Sequence, residues 1–245
     1  MKLSRLYKME KKTLGIIGGM GTPATSFFFN NIAKEFPFKD DMDYLEIFIH
    51  NNSKIPDRTD AIINKKESPL NEILRSALIF DSLQIDYFVM VCVTSHYYAN
   101  LIQEKMKHSK LINILCTTSE YIEMNYKLVK KIGILASTGA IKAGLWQNEL
   151  SKFSIESVTL SEIDQEKYIM DTIYGDNGLK EGNLGENNKK KIQKAINILI
   201  EQGSQAILIG CSEIPMIVTE KDFDVVFIDS FKILRNKIYS NCYNF

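Results

Sequence analysis

The feature that most constrains the fold is a series of eight short apolar runs, rich in Ile, Val, Leu and Phe, separated by amphipathic stretches. Each run is continuously hydrophobic, which is typical of parallel strands covered on both faces. The intervening stretches have helical spacing, so strand and helix alternate along the chain. This rhythm predicts an α/β fold of mainly parallel sheets flanked by helices. The predicted strands are 14–18, 44–50, 87–92, 111–115, 131–136, 154–159, 205–210 and 225–228. The predicted helices are 23–36, 68–83, 97–108, 117–126, 139–153, 161–174, 187–202 and 230–240.

An internal repeat indicates two similar halves. The run Leu14–Gly18 resembles the run Ile132–Ala136, which begins 118 residues later. Independently, Cys92 and Cys211 each end an apolar run and lie 119 residues apart. Two unrelated features with nearly one period are typical of a duplicated α/β unit. If a pseudo-twofold relates the halves, the carboxyl ends of their strands face each other, and the active site lies between the two domains.

The length of 245 residues accommodates one or two compact units. We predict an N-terminal domain made of residues 1–112 together with 225–245, and a C-terminal domain made of residues 113–224.

Composition favours a small-molecule partner. Thirty basic residues balance thirty acidic ones, so no overall field attracts nucleic acid or an anionic membrane. No apolar run approaches the roughly 18 residues needed to cross a bilayer, and the N-terminus lacks a long apolar core. We therefore expect a cytoplasmic protein. The four cysteines show neither CxxC spacing nor a disulfide framework, so free thiols are expected.

Cys92 and Cys211 are the candidate catalytic residues. Inverting a stereocentre without a cofactor requires a base on one face of Cα and an acid on the other, and two opposed thiols can supply both. A helix beginning after each cysteine would favour its thiolate form. The alternative for either cysteine alone is a buried small hydrophobe, as most free cysteines are. Their paired position at strand ends favours the catalytic interpretation.

Several other polar positions are ambiguous by themselves. The turn Gly18–Gly21 does not complete a GxGxxG motif, so a tight turn lining a cleft explains it better than a nucleotide site. Arg58, in a loop after a strand, has the chemistry to hold a carboxylate, although a surface arginine in a turn is the alternative. Lys180, in a glycine-containing loop, has the same ambiguity. His96 is the histidine nearest to a candidate thiol. No metal-ligand spacing is present, and we expect no metal or other cofactor.

In order along the chain, five motifs resemble those of the aspartate/glutamate racemase family, and aspartate racemase in particular. Any one of them is weak, whereas five in sequence are specific, and the likeness covers nearly the whole chain after about residue 11. The motifs are Ile16-Ile17-Gly18-Gly19-Met20-Gly21, Ile55-Pro56-Asp57-Arg58-Thr59, Cys92-x-Thr94-x-His96-Tyr97, Ala136-Ser137-Thr138-Gly139 and Ile209-Gly210-Cys211-Ser212-Glu213-Ile214-Pro215.

The resemblance implies two similar α/β domains, a homodimer, and racemisation without pyridoxal phosphate in which the two cysteines act as acid and base. It implies that Arg58 and Lys180 bind the side-chain carboxylate of a small dicarboxylic amino acid. Thr94 and Ser212 match positions whose hydroxyl groups hold the amino-acid head group. The remaining candidate substrate-binding residues, in the turns expected to line the cleft, are Met20, Gly21 and Thr138.

One departure from the family pattern leaves the substrate open. Val93 stands where the family typically has asparagine, and valine cannot bond to the polar groups of a substrate. Loss of such a partner costs about 1–3 kcal/mol in a closed site. Aspartate is the favoured substrate and glutamate the next. The alternatives are a hydantoin racemase, a maleate-type isomerase of the same fold, or a protein that binds a small acid without turnover.

Overall fold

The computed structural model describes residues 11–243. Eight strands form two parallel sheets of four strands each. The strands are β1 (Leu14–Gly18), β2 (Ile47–Asn51), β3 (Tyr87–Met90), β4 (Lys110–Leu111), β5 (Lys131–Leu135), β6 (Glu156–Val158), β7 (Ala206–Ile209) and β8 (Val226–Asp229). The helices are α1 (Thr22–Glu35), α2 (Arg58–Ile63), α3 (Leu70–Ser82), α4 (Ala99–Gln103), α5 (Ile114–Asn125), α6 (Thr138–Lys142), α7 (Leu145–Ser151), α8 (Glu162–Asp164), α9 (Asp171–Tyr174), α10 (Glu186–Glu201) and α11 (Ser230–Cys242).

The two sheets have the same topology. The first has the order β2-β1-β3-β4 and the second the order β6-β5-β7-β8, so the first strand of each half lies between the second and the third. All pairs are parallel, with Leu14 opposite Tyr87 in the first sheet and Ile132 opposite Ala206 in the second. This confirms the predicted α/β fold with two similar halves.

The central strands of the two sheets, β1, β3, β5 and β7, are buried because both faces of each sheet are covered there. One apolar cluster joins the sheets and contains Ile16, Val89, Ile134 and Leu208. A second cluster packs the other face of the first sheet against α3 and α4, and a third packs the other face of the second sheet against α10. The continuous hydrophobicity of the strands follows from this burial.

Four predicted elements differ in the structure. The run 111–115 is not a strand, because β4 ends at Leu111 and the Asn113 side chain caps α5 by accepting from the Leu115 amide. The predicted helix 139–153 is divided at Gly144, whose φ of 66° ends α6 and begins α7. The helix predicted at 97–108 shortens to α4, preceded by a 3-10 turn at Thr94–Tyr98. Between α8 and α9, residues Gln165–Met170 form a π-helix.

The prediction that Arg58 lies in a loop is also wrong. Asp57 accepts a hydrogen bond from the Asp60 amide and caps a short helix that begins at Arg58. The loop predicted to hold Lys180 contains a 3-10 turn at Leu179–Glu181.

The predicted placement of residues 225–245 needs one correction. Strand β8 pairs with β7, so it belongs to the second sheet and not to the N-terminal half. The helix that follows it, α11, does contact the N-terminal half, since Arg235 forms two hydrogen bonds with Glu35 of α1 at 2.6 and 2.7 Å. The division of the chain into two domains stays a prediction.

Gly210, which precedes Cys211, provides a test of the packing beneath the second sheet. A Cβ atom at this position would lie 2.2 Å from Nε1 of Trp146, whose side chain is fully buried. We expect Gly210→Ala to lower the free energy of unfolding by about 1–3 kcal/mol, the usual cost of overpacking. Denaturant unfolding measures this loss, and Trp146→Phe in the same chain should recover part of it. Strictly additive losses in the double variant would contradict the proposed clash.

Candidate active site

The carboxyl ends of β1, β3 and β7 meet at one cleft between the two halves of the chain. Cys92 lies just beyond β3 and Cys211 just beyond β7, and each side chain is buried. The cavity volume open to the centres of water molecules is about 10 Å³, room for about one water molecule. The residues that line the cleft are Met20, Arg58, Cys92, Val93, Thr94, Ser137, Ile173, Tyr174, Lys180, Gly210, Cys211, Ser212 and Glu213.

The first half of the site is built around a glycine turn. Gly19 has a φ of 85°, and a Cβ there would lie 2.4 Å from the backbone of Asn52, so only glycine fits. The turn leaves the Met20 carbonyl oxygen facing the cleft residues. Arg58 Nη2 donates to that oxygen at 2.8 Å, and Lys180 Nζ donates to it at 3.0 Å. Two cations from different halves of the chain therefore meet at one backbone oxygen.

Arg58 is held as a buried cation. Burial by itself would lower the pKa of its guanidinium group. Cys92, Tyr174 and Asp57 outweigh burial and raise the pKa above its ordinary value, so the group stays charged. Within the described residues its Nε atom is buried and has no hydrogen-bond partner.

Cys211 has a different environment from Cys92. Its Sγ donates to Oε2 of Glu213 at 3.1 Å, and the Ser212 hydroxyl donates to the same oxygen at 2.8 Å. Burial first, and then the Glu213 carboxylate, raise the pKa of the Cys211 thiol well above its usual value. Cys92 also contributes to this increase. Cys211 is therefore a protonated thiol at neutral pH.

No long helix begins behind either cysteine. A five-residue 3-10 turn, Thr94–Tyr98, follows Cys92, and a three-residue turn, Ile214–Met216, follows Cys211. The expected stabilisation of both thiolates by helix N-termini is therefore not supported, because a short turn aligns few peptide dipoles.

His96 supports the Cys92 backbone. Its Nδ1 lies 3.0 Å from the Cys92 carbonyl oxygen. Burial lowers the pKa of His96 to about 4, so the ring is neutral at pH 7 and donates from Nδ1. The imidazole therefore holds the end of the strand in place.

The hydroxyl groups expected in the site are partly in place. Thr94 and Ser212 line the cleft, and Thr94 Oγ1 is 2.8 Å from Ser137 Oγ. Thr138 is not among the lining residues, and its hydroxyl lies 3.4 Å from Gln165 Nε2. The preceding residue, Ser137, takes the predicted position at the cleft.

Val93, which departs from the family pattern, contacts both the cleft and the apolar core. Val93 lines the cleft, and its side chain also belongs to the apolar cluster between the sheets, with 2% of the residue exposed. It therefore presents an apolar wall at the point where an amide was expected.

Two residues at the centre of the site had no predicted role. Glu213 lies two positions after Cys211, and Tyr174 ends α9. The Tyr174 hydroxyl donates to Asp57 at 3.0 Å, and burial followed by the Asp57 charge raises the pKa of this phenol. The only signal for Glu213 in the sequence was its place in the motif around Cys211, and nothing in the sequence pointed to Tyr174.

Comparison with known proteins identifies the family. A family model described as Asp/Glu/Hydantoin racemase matches residues 17–238. The chain belongs to this racemase family. The racemase is also similar in structure to aspartate racemase from Picrophilus torridus, with 25% identity, a TM-score of 0.81 and coverage of 94% of each chain.

Two more distant structures support the fold of the racemase. An aspartate racemase homologue from Pyrococcus horikoshii is 20% identical with a TM-score of 0.73, covering 94% of this chain and 99% of that one. Glutamate racemase from Francisella tularensis subsp. tularensis, solved with D-glutamate, is 16% identical with a TM-score of 0.67, covering 95% and 81%.

Among residues 11–243, no helix has the length and apolar character needed to cross a bilayer. In the same range, no group of three or more His, Cys, Asp or Glu side chains is arranged to hold a metal ion.

Proposed function

We propose that this racemase interconverts the enantiomers of an acidic amino acid, with aspartate as the preferred substrate and glutamate as the second candidate. The observation that carries the proposal is the meeting of Arg58 and Lys180 at the Met20 carbonyl oxygen, beside two buried thiols. The two positive charges of Arg58 and Lys180 lie close together and would attract an anion. The side-chain carboxylate of an acidic amino acid is such an anion, and neutral amino acids lack it.

The proposed reaction uses one thiol on each face of Cα. A thiolate removes the Cα proton, and the opposite thiol donates a proton to the other face of the planar carbanion. One proton is taken up and one is released by the protein, so the charge of the site is unchanged after turnover. Thiols suit this role because their ordinary pKa allows both protonation states near neutral pH.

The positions of the polar groups support a defined orientation of the substrate. Arg58, whose Nε has no partner among residues 11–243, and Lys180 would bind the side-chain carboxylate. Thr94, Ser137 and Ser212 offer hydroxyl groups near the thiols for the head group. Val93 supplies an apolar contact instead of the amide typical of the family. The proposed homodimer and cytoplasmic location rest on the family resemblance and the sequence alone.

Incubation of single enantiomers in deuterium oxide tests the proposal. We expect L-aspartate and D-aspartate each to reach an equal mixture, with deuterium at Cα of the product, in the presence of a metal chelator and without added pyridoxal phosphate. Chiral chromatography with mass detection measures both changes. Conversion to a different compound would indicate an isomerase, and absence of inversion with both aspartate and glutamate would contradict the proposed substrate class.

A further inference from the structure

The buried carboxylate of Glu213 has no role in the proton transfers described above. Only 4% of the residue is exposed, and its oxygens meet three donors. Oε2 accepts from Cys211 Sγ and from Ser212 Oγ, and Oε1 lies 3.5 Å from Lys180 Nζ. Because an ionised carboxylate only accepts hydrogen bonds, this set of partners fits the charged form.

The glycine turn opposite Glu213 leaves space for this carboxylate. A Cβ atom at Gly21 would lie 2.5 Å from Glu213 Oε1, so any larger side chain at this turn would displace the carboxylate. Gly21 was expected to bind substrate, and its direct neighbour in the structure is Glu213. The glycine turn of the N-terminal half thus makes room for a charged group of the C-terminal half.

We infer that Glu213 is a positioning residue that holds Cys211 as the thiol, so that Cys92 is the resting base and Cys211 the resting acid. The inference rests on the proposed two-thiol function and adds a direction to it. A thiolate at Cys211 would lose its hydrogen bond and face a carboxylate 3.1 Å away. A thiolate at Cys92 would instead share the cleft with the guanidinium group of Arg58, which carries the opposite charge.

The proton balance follows from this assignment. The Cys92 thiolate takes the Cα proton and becomes a thiol, while Cys211 gives its proton to the opposite face and becomes a thiolate. After this transfer the Cys211 thiolate lies beside the Glu213 carboxylate, and the two negative charges repel each other. Cys211 therefore regains a proton from solvent, and Cys92 loses one, before the next turnover in the same direction. The two thiols are therefore chemically unequal although the fold that carries them is repeated.

Other charged and titratable groups also face Cys211, and they bear on the test. Across the cleft these are Cys92 and Arg58, and from the C-terminal half they are Glu213, Lys180 and Tyr174. Of these, Glu213 and Cys92 act directly on the pKa of Cys211. The effect of Glu213 on the reactivity of Cys211 must therefore be measured in a chain in which Cys92 is intact.

Alkylation of individual thiols, followed by peptide mass spectrometry, tests the inference in the full chain. With iodoacetamide between pH 6 and 10, Cys92 should react faster than Cys211 at neutral pH. Glu213→Gln should raise the rate at Cys211 by about tenfold or more, which corresponds to a downward shift of about one pKa unit in its titration. The rate at Cys92 should stay within about twofold, and this thiol reports any general opening of the cleft because it lines the same space.

Glu149→Gln is the matched control. Burial and then Glu149 raise the pKa of Cys116, which lies on α5 outside the cleft. This variant should accelerate Cys116 and leave Cys211 unchanged. If Glu213→Gln does not fold, Glu213→Asp keeps the charge and should keep Cys211 slow to react.

Three results would overturn the inference: faster reaction of Cys211 than of Cys92 in the unaltered protein, no acceleration of Cys211 in folded Glu213→Gln, or equal acceleration of both thiols with no change in the titration midpoint of Cys211. None of these measurements requires turnover. A chain that fails to racemise aspartate but shows the predicted thiol reactivity would contradict the proposed substrate while supporting the role of Glu213.

Discussion

Cys92→Ala and Cys211→Ala are each expected to lower the rate of aspartate racemisation by about a thousandfold or more, because each variant lacks the acid or the base for one face of Cα. Both side chains are small and buried at strand ends, so alanine should be accommodated with little change in the fold. Chiral analysis of the product measures the rate, and circular dichroism checks the fold.

Cys116→Ala is the control for these variants. Cys116 is a free thiol of intermediate exposure on α5 and is not among the residues that line the cleft. We expect this variant to retain full activity. Near-normal turnover in either Cys92→Ala or Cys211→Ala would contradict the two-thiol mechanism.

The single variants should also separate proton removal from inversion. One thiol remains in each of them, so neither variant should invert its substrate, but a remaining thiolate can still exchange the Cα proton of one enantiomer with deuterium oxide. Cys211→Ala is expected to keep exchange by Cys92. Cys92→Ala should exchange the opposite enantiomer far more slowly, because the bond to Glu213 holds Cys211 as the thiol. Proton nuclear magnetic resonance of the Cα signal measures the exchange.

Arg58→Ala is expected to lower kcat/KM for aspartate by about a hundredfold. The substrate loses charge-assisted hydrogen bonds, and about 3 kcal/mol of lost transition-state binding corresponds to that factor. The loss for a neutral amino acid such as alanine should be smaller, because it has no second carboxylate. For Arg58→Lys, kcat/KM for aspartate should lie between the values of the unaltered protein and of Arg58→Ala, since lysine keeps the charge but not the planar set of donors.

Controls for Arg58 exclude a loss of structure. Arg75 on α3 pairs with Glu72 at 2.7 Å and is exposed, so Arg75→Ala should leave kcat/KM unchanged. The melting temperature of Arg58→Ala should be measured as well, because the Met20 and Pro56 carbonyl oxygens both accept from this side chain. Equal losses for aspartate and alanine would mean that Arg58 binds the α-carboxylate or only supports the turn.

The parts of the fold predicted from sequence are those fixed by strand periodicity and by chemistry at strand ends. The placement of Cys92 and Cys211 just beyond strand ends could be predicted because a buried parallel strand is apolar and its carboxyl end opens onto the ligand side. The run 111–115 was misjudged because Ile114 and Leu115 are buried in a helix as completely as they would be in a strand. Short apolar runs do not distinguish the two, and the cap at Asn113 decided between them.

The rest of the site depends on contacts that leave no pattern in the sequence. The meeting of Arg58 and Lys180 at Met20 uses a backbone oxygen, which every residue has. The bond between Cys211 and Glu213 depends on the backbone conformation of a loop, which short-range spacing does not fix. Substrate preference is set by such contacts, and this explains why the sequence left it open between several small acids.

The narrowness of the cleft has a consequence for how a ligand reaches the thiols. A volume of about 10 Å³ holds a water molecule but not an amino acid. The bonds of Tyr174 to Asp57 and of Lys180 to Met20 connect the two halves of the chain beside the cleft. Capture of a substrate must therefore draw on conformations with a wider cleft, and we expect these two contacts to be broken in them. The measured dissociation constant then exceeds the intrinsic one in inverse proportion to the fraction of molecules that are open. Inhibitor affinity is therefore governed by the opening equilibrium as well as by the fit to the cleft.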